Sequence, residues 1–263
     1  MKLLQALKVK KYTTQTVLDF LLNPQNKVVI LRHDVDRKPK NALIMARLEN
    51  SLGVKASYYF RIVPESYNLE IMNKIAELGH EIGYHYEDVD MVINNYKLRI
   101  RNDEDYQKLV DLAYENFYKN LKMLRENFDV KTVCMHGSPR SKYDNKIIWE
   151  KYNYRDLEII CEPYFDVDYN EVFYLTDASR AWNNNKVNRR DRVNSDFKFD
   201  INSSKEFIKF IQSNNSPLKI MLNVHPHNWT NSMIGWTIIG LWQFIKNIAK
   251  RIIIKQSESL HNA

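Results

Sequence analysis

The chain has 263 residues, of which 44% are hydrophobic and 27% are charged; Lys and Arg outnumber Asp and Glu by 39 to 32, a net charge of +7. This composition excludes a disordered, collagen-like or disulfide-stapled protein and predicts a globular one, and we expect a single domain over residues 1–263. Basic residues are interleaved with acidic ones rather than gathered in a stripe, so no nucleic-acid partner is predicted.

The amino terminus and the two cysteines indicate a cellular setting. Residues 1–20 lack an apolar core followed by a small-residue cleavage site, which favours a cytoplasmic location over secretion. Cys134 and Cys161 both lie in apolar, strand-like runs. We therefore expect two buried, reduced thiols rather than a structural disulfide.

Apolar residues along the chain predict strands that alternate with helices. Short β-branched or aromatic runs predict strands at residues 27–32, 56–63, 81–86, 132–135, 157–161, 172–175 and 218–224. Longer periodic segments predict helices at residues 41–52, 69–78, 104–127, 207–211 and 234–254. A capping box from Ser203 to Glu206 precedes the fourth of these helices. Such alternation predicts a parallel sheet, and hence an α/β fold.

Polar clusters follow five of the predicted strands. They read HDVD, GYHYED, MHGSPR, YLTDASRAW and NVHPHNW in chain order. In a parallel sheet the active site lies at the carboxyl ends of the strands, in barrels and in open sheets alike. We therefore expect the five clusters to meet at one mouth of the fold.

The first cluster supplies two carboxylates. Asp34 and Asp36 are two residues apart, so in an extended strand both side chains point to the same side. Two carboxylates held close together ionise freely only when a cation lies beside them, and a metal ion satisfies that condition. The alternative reading is a turn or a helix cap before Pro39.

The other clusters supply imidazoles. His85 ends a predicted strand, and His136 lies in a turn forced by Gly137 and Pro139. His225 and His227 flank Pro226, and we expect one of them to enter the site while the other stays outside. His80, next to Gly79 at a helix end, is expected to be structural.

Imidazole together with carboxylate suits zinc, or iron or cobalt, in an open site that holds a water molecule. A second carboxylate can then act as a general base and a second histidine as a general acid. This combination predicts a hydrolase that acts on an amide or ester carbonyl.

In these motifs and their order, the chain resembles the polysaccharide deacetylase superfamily over residues 28–229. HDVD is similar to the first motif of that family, which implies that Asp34 is the catalytic base and Asp36 a metal ligand. GHEIGYH is similar to the second motif, which places His85 on the metal. The resemblance implies a deformed parallel (β/α) barrel of about seven strands and a divalent metal, zinc before others.

Two further motifs complete the resemblance. LKIMLNVHPHNW is similar to the last family motif, which makes His225 the acid that protonates the leaving group. TDASRAW resembles the motif before it and implies that Asp177 and Trp182 flank this acid. The subgroup with this motif order is associated with bacterial surface-polysaccharide synthesis. The implied reaction removes an acetyl group from an N-acetylated sugar, an oligosaccharide or a lipid-linked glycan.

The chain departs from the family pattern at the metal site. A second metal histidine normally follows the first by four residues, but Val89 stands there and cannot bind a metal. His136 is our first choice for the third ligand, with Glu87 and Asp88 as alternatives.

A second departure concerns the arginine that normally holds the catalytic Asp. Gly137 occupies its usual place, and Arg140, Arg32 or Arg180 are the candidates to replace it. Because a lost arginine and a lost histidine suggest an inactive site, a non-catalytic glycan-binding relative is the first alternative function. A metal-dependent glycosyltransferase with an Asp-x-Asp motif is the second.

Sugar contacts and a membrane contact are the remaining expectations. Trp182 and Trp229 offer flat faces for a sugar ring, and Arg140 and Arg180 are expected to bind substrate. Residues 233–254 are apolar and basic, but the apolar run is too short to span a bilayer. We expect either a helix packed across the barrel or an amphipathic helix on the cytoplasmic face of a membrane.

Overall fold

The computed structural model describes residues 1–137, 141–178, 191–199 and 201–230, with the single residues 182, 237 and 240. Its strands are β1 Thr13–Gln15, β2 Val28–Val35, β3 Ser57–Phe60, β4 Glu81–Tyr86, β5 Val133–Met135, β6 Val172–Thr176 and β7 Lys219–Val224. Its α-helices are α1 Lys2–Val9, α2 Val17–Leu22, α3 Pro39–Ser51, α4 Leu69–Glu77, α5 Asp88–Tyr96, α6 Asp103–Arg125, α7 Pro163–Asp166 and α8 Ser204–Gln212.

The strands form one sheet in which every pairing is parallel. Their order is β5-β4-β3-β2-β7-β6, and β1 pairs with the first residues of β2. In the register, Arg32 lies opposite Ser57 on one side and opposite Asn223 on the other. The predicted parallel α/β architecture is therefore confirmed.

The sheet curls so that one of its faces becomes the inside of a half-barrel. Alternate residues of strands from both ends of the sheet pack into one buried cluster, which includes Ile30, Tyr59, Cys134, Tyr174 and Met221. Strands so far apart in the order share such a cluster only when the sheet bends round on itself. The structure thus agrees with the predicted deformed β/α barrel.

Residues of the opposite parity face outward and pack beneath the helices. Leu31, Tyr58, Tyr84 and Leu222 belong to this larger core. His80 is part of this packing, because its Nε2 lies 3.0 Å from the carbonyl oxygen of Ala46. Its predicted structural role is confirmed.

Gly83 is needed inside the half-barrel because the ring of Tyr59 occupies the space of a side chain. A Cβ atom at Gly83 would clash with Tyr59 Cε1 and would lie 3.1 Å from the carbonyl oxygen of Thr132. We predict that Gly83→Ala lowers the free energy of unfolding by about 1–3 kcal/mol, the usual cost of overpacking, as measured by urea denaturation. In a Tyr59→Val background the same change should cost less, and equal costs would contradict this explanation.

Most predicted elements are present, with shifted ends. The exception is the strand predicted at residues 157–161, where a 3-10 helix Tyr154–Leu157 ends at Glu158 in a left-handed conformation (φ 56°). Cys161 alone joins the sheet, through a bridge to Thr132. Both cysteines are free and buried, as expected.

The predicted helix at residues 233–254 lies outside the described residues, apart from positions 237 and 240. Among the described helices, none combines the length and the apolar character that crossing a membrane requires.

Candidate metal centre and active site

The strand ends bring five predicted site residues to one mouth of the half-barrel. Asp34 lies in β2 and Asp36 just after it, while His85, His136 and His225 come from β4 and from the residues that follow β5 and β7. All five have the parity of the inward-facing cluster. Asp34 and Asp36 do face the same side, because the nitrogen His85 Nε2 is 3.9 Å from Asp34 Oδ2 and 3.4 Å from Asp36 Oδ1.

Three side chains form a group that could hold a metal ion. Asp36 Oδ1 lies 3.4 Å from His85 Nε2 and 3.7 Å from His136 Nε2. The three ligand atoms lie within 4.8 Å of one another. Asp36 Oδ1 is buried and has no hydrogen-bond partner among the described residues. Because an orphaned buried carboxylate oxygen is costly, this donor set of two nitrogens and one oxygen fits a zinc-type cation.

The protein also fixes which nitrogen of His85 faces the group. Its Nδ1 lies 2.9 Å from the carbonyl oxygen of Cys134, to which it can only donate a proton. The Nε2 lone pair is therefore free for a metal. Burial would raise the pKa of Asp36, but the imidazoles of His85 and His136 outweigh burial and hold this pKa well below its usual value.

Of the three candidates for the third ligand, His136 alone lies beside Asp36 in this arrangement. Val89 is fully buried in the core, as an apolar residue should be. Asp88 accepts hydrogen bonds from Tyr84 and Asn120 beneath the helices. Burial raises the pKa of Asp88 to about 7. Glu87 stands behind His136 and contacts its other nitrogen.

Asp34 is held by an arginine two residues earlier on the same strand. Arg32 donates from Nε to Oδ1 at 2.9 Å and from Nη2 to Oδ2 at 2.6 Å. Asn223 donates to Oδ2 at 3.0 Å. Burial would raise the pKa of Asp34, but the Arg32 guanidinium outweighs it and lowers this pKa, so the carboxylate stays ionised.

Of the three arginine candidates, Arg32 is the one that the described residues show in contact with Asp34. It is fully buried and shares the inward parity of Asp34. The other two candidates, Arg140 and Arg180, lie outside the described residues.

His225 forms a dyad with Asp177. The ring Nδ1 lies 2.7 Å from Asp177 Oδ1, and the backbone N–H of His225 donates to the same oxygen at 2.8 Å. Burial would lower the pKa of His225, but the bond to Asp177 and the charge of Asp36 raise it to about 10. The imidazole is therefore protonated at neutral pH, as a general acid must be.

The two tryptophans lie in different surroundings. Trp229 Nε1 donates to Asp177 Oδ2 at 3.0 Å, so Trp229 flanks the dyad while its ring stays partly exposed. Trp182 is buried, bonds Ser204 Oγ at 3.0 Å and packs against Phe207. Its position does not support either the predicted sugar contact or the place beside His225 that the resemblance implies.

His227 also reaches the site, contrary to the expectation that one of the two histidines stays outside. Its Nδ1 lies 3.9 Å from Asp36 Oδ2, on the other carboxylate oxygen from His85 and His136. The reason is a 3-10 turn, Pro226–Asn228, which replaces the extended backbone after β7. Burial lowers the pKa of His227 to about 4, so this imidazole is neutral.

A polar network below the site was not predicted. Asp191 accepts hydrogen bonds from the hydroxyls of Tyr164 and Thr176, at 2.6 and 2.7 Å. Asn223 Nδ2 lies 3.3 Å from Asp191 and 3.0 Å from Asp34, which connects this network to Asp34. The inward parity of Asn223 on its strand was the available signal, whereas Asp191 lies in an irregular segment with no such pattern.

A pocket of about 590 Å³ opens beside His136. Its walls come from α5, the loop after it and the segment after β5. Lys97, in a left-handed conformation (φ 50°), ends α5 and turns the chain back so that Leu98 and Ile100 line this pocket. Polar and charged side chains, among them Arg61, Glu87 and Lys142, make up most of the remaining lining.

Comparisons with known proteins return little. No protein-family model matches the chain, and no curated protein matches it. A solved structure to which the chain is similar is the Xyl-CE4 domain of a multidomain xylanase from the hindgut metagenome of Trinervitermes trinervoides. The identity is 12%, the match covers 89% of this chain and 85% of that one, and the TM-score is 0.34.

Proposed function

We propose that the protein is a metal-dependent hydrolase that removes an acetyl group from an N-acetylated sugar or glycan. One observation carries this proposal: the Asp36–His85–His136 group lies beside an arginine-held carboxylate, and the charge of Asp36 acts on a protonated, carboxylate-held imidazole. The motif order that resembles the polysaccharide deacetylases supports the same reaction.

The chain's own residues account for the proton transfers. Asp34 is ionised and close to His85, so it can accept a proton from a water molecule that attacks the acetyl carbonyl. His225 can donate its proton to the leaving nitrogen, while Asp177 holds its Nδ1. A divalent metal on Asp36, His85 and His136 would supply a Lewis acid that polarises the carbonyl and lowers the pKa of water.

The two residues whose absence suggested a non-catalytic relative each have a candidate replacement. Arg32 stands in for the missing arginine, and His136 stands in for the missing histidine. The glycosyltransferase alternative does not use His225 or its dyad with Asp177. Acetyl hydrolysis uses all of these groups.

We predict that the purified protein carries close to one divalent metal per chain and releases acetate from N-acetylglucosamine oligosaccharides. Removal of the metal with a chelator should abolish acetate release, and added zinc should restore it. Elemental analysis and an acetate assay measure the two quantities, and O-acetylated glycans serve as the comparison substrate.

Two results would contradict the proposal. Tight sugar binding with neither metal nor acetate release would indicate the non-catalytic relative. Binding of a uridine diphosphate sugar that requires magnesium would indicate the glycosyltransferase.

A further inference from the structure

Arg61 and Glu87 form a buried ion pair directly behind His136. Arg61 Nε donates to Glu87 Oε1 at 2.9 Å and Nη2 donates to Oε2 at 2.7 Å. Both side chains are largely buried, with 19% and 7% of their surface exposed. Such a two-pronged contact fixes a carboxylate in position as well as in charge.

Glu87 in turn faces the nitrogen of His136 that points away from Asp36. Glu87 Oε2 lies at an ion-pair distance of 3.0 Å from His136 Nδ1, without the alignment of a hydrogen bond, while His136 Nε2 lies 3.7 Å from Asp36 Oδ1. An imidazole that offers Nε2 to a metal carries its proton on Nδ1, and a carboxylate there selects that tautomer and ring orientation.

Arg61 also contacts the segment that carries the first ligand. Its Nη1 donates to the backbone carbonyl of Asp36 at 3.0 Å. The backbone of Arg61 is itself anchored, because its N–H donates to Ser66 Oγ at 3.1 Å and Ser66 donates to the carbonyl of Val35. One arginine therefore ties together the ends of β2, β3 and β4.

We propose that Arg61 and Glu87 are positioning residues that hold His136 as the third metal ligand and thereby set the affinity of the site for a divalent cation. This inference rests on the metal centre of the proposed function. It explains how a ligand from the segment after β5 can replace the histidine missing at Val89, because Arg61 and Glu87 support that ligand.

Glu87 could instead bind a cation itself, since Glu87, Asp90 and His136 also bring ligand atoms within 4.8 Å of one another. The Arg61 fork argues against this, because it occupies both oxygens of Glu87 and places a positive charge where the cation would be. If Glu87 is a ligand, replacing it removes one bond to the metal. If Glu87 only positions His136, replacing it leaves the set of ligands unchanged.

The test measures zinc affinity by competition with a chromophoric chelator in the wild type, Glu87→Gln and Arg61→Lys. We expect roughly 10- to 100-fold weaker zinc binding in Glu87→Gln, the usual effect of removing such a partner, and a smaller loss in Arg61→Lys. The control is Glu70→Gln, which removes the exposed pair between Glu70 and Lys74 and should leave zinc affinity unchanged.

Cobalt substitution separates positioning from ligation. A positioning role predicts that the visible spectrum of the cobalt-loaded Glu87→Gln variant keeps its band intensities, whereas loss of a ligand would change them. Zinc affinity within about twofold of the wild type in both variants, or a changed cobalt spectrum, would overturn the inference. Circular dichroism verifies folding. If Glu87→Gln does not fold, the zinc affinity of Arg61→Lys alone decides the test. A wild type that binds no zinc would instead refute the metal centre itself.

Discussion

Asp34→Asn is expected to lower acetate release by about 10²- to 10⁴-fold, because the amide cannot accept a proton from water. The metal group should persist in this variant, since Asp36, His85 and His136 are all retained. Acetate release and zinc content, measured on the same preparation, check both halves of the prediction. Unchanged turnover would remove Asp34 from the role of base.

The same substitution should also destabilise the fold. Arg32 is fully buried and forms an ion pair with Asp34. Breaking a buried ion pair from one side leaves an uncompensated charge and costs about 3–5 kcal/mol. Urea denaturation measures this loss of unfolding free energy.

Two further variants separate chemistry from stability. Asp111→Asn breaks an exposed pair with Lys151 and should change neither stability nor turnover. The double variant Arg32→Met, Asp34→Leu removes both buried charges together, so it should recover much of the lost stability while remaining inactive. An active double variant would contradict the assignment of the base.

The period of two along a parallel strand explains why so much of the site could be predicted. Once β2, β4 and β7 are recognised, the alternation places Asp34, His85 and His225 on one face, and parallel pairing places them at one end. The same alternation marks Arg32 and Asn223 as inward-facing, and the register of β2 with β7 places them opposite each other.

The strand pattern could not predict features that depend on contacts between residues distant in sequence or on irregular backbone. The alternation marks Arg32 as inward-facing but does not show which of the three arginines contacts Asp34, because that contact depends on the closed interior. The turn after Pro226 breaks the alternation and brings His227 inward. The helix α5 is not among the predicted elements, although Val89 and Val92, three residues apart, mark its buried face.

His225 should control the alkaline side of the pH profile, because only its protonated form can donate to the leaving nitrogen. The pKa of His225 is raised to about 10 in the fold, against about 6.5 for a free histidine. A cation on Asp36 would cancel part of the negative charge with which this carboxylate raises the pKa of His225. We therefore expect the rate of the metal-loaded protein to fall at a pH between about 6.5 and about 10. His225→Ala should lower the rate by about 10²- to 10⁴-fold.

The same shift predicts how stability depends on pH. Because the pKa of His225 is higher in the folded than in the unfolded chain, its contribution is fully present below pH about 6.5. It is lost as the pH rises towards the folded value of about 10. Unfolding free energies measured without metal across this range should therefore decrease with rising pH, and should do so less in His225→Ala.

Asp177→Asn provides the sharper test of the dyad. After burial, which acts in the opposite direction, the bond to Asp177 is the largest influence on the pKa of His225. Its replacement by a neutral amide should move the alkaline limb of the rate profile to lower pH, so that the variant loses most activity at high pH. Trp229→Phe is the matched control, because it removes a donor to Asp177 but keeps the carboxylate beside His225. That variant should leave the limb in place whatever its effect on the rate, and an alkaline limb unmoved by Asp177→Asn would show that His225 is not the acid.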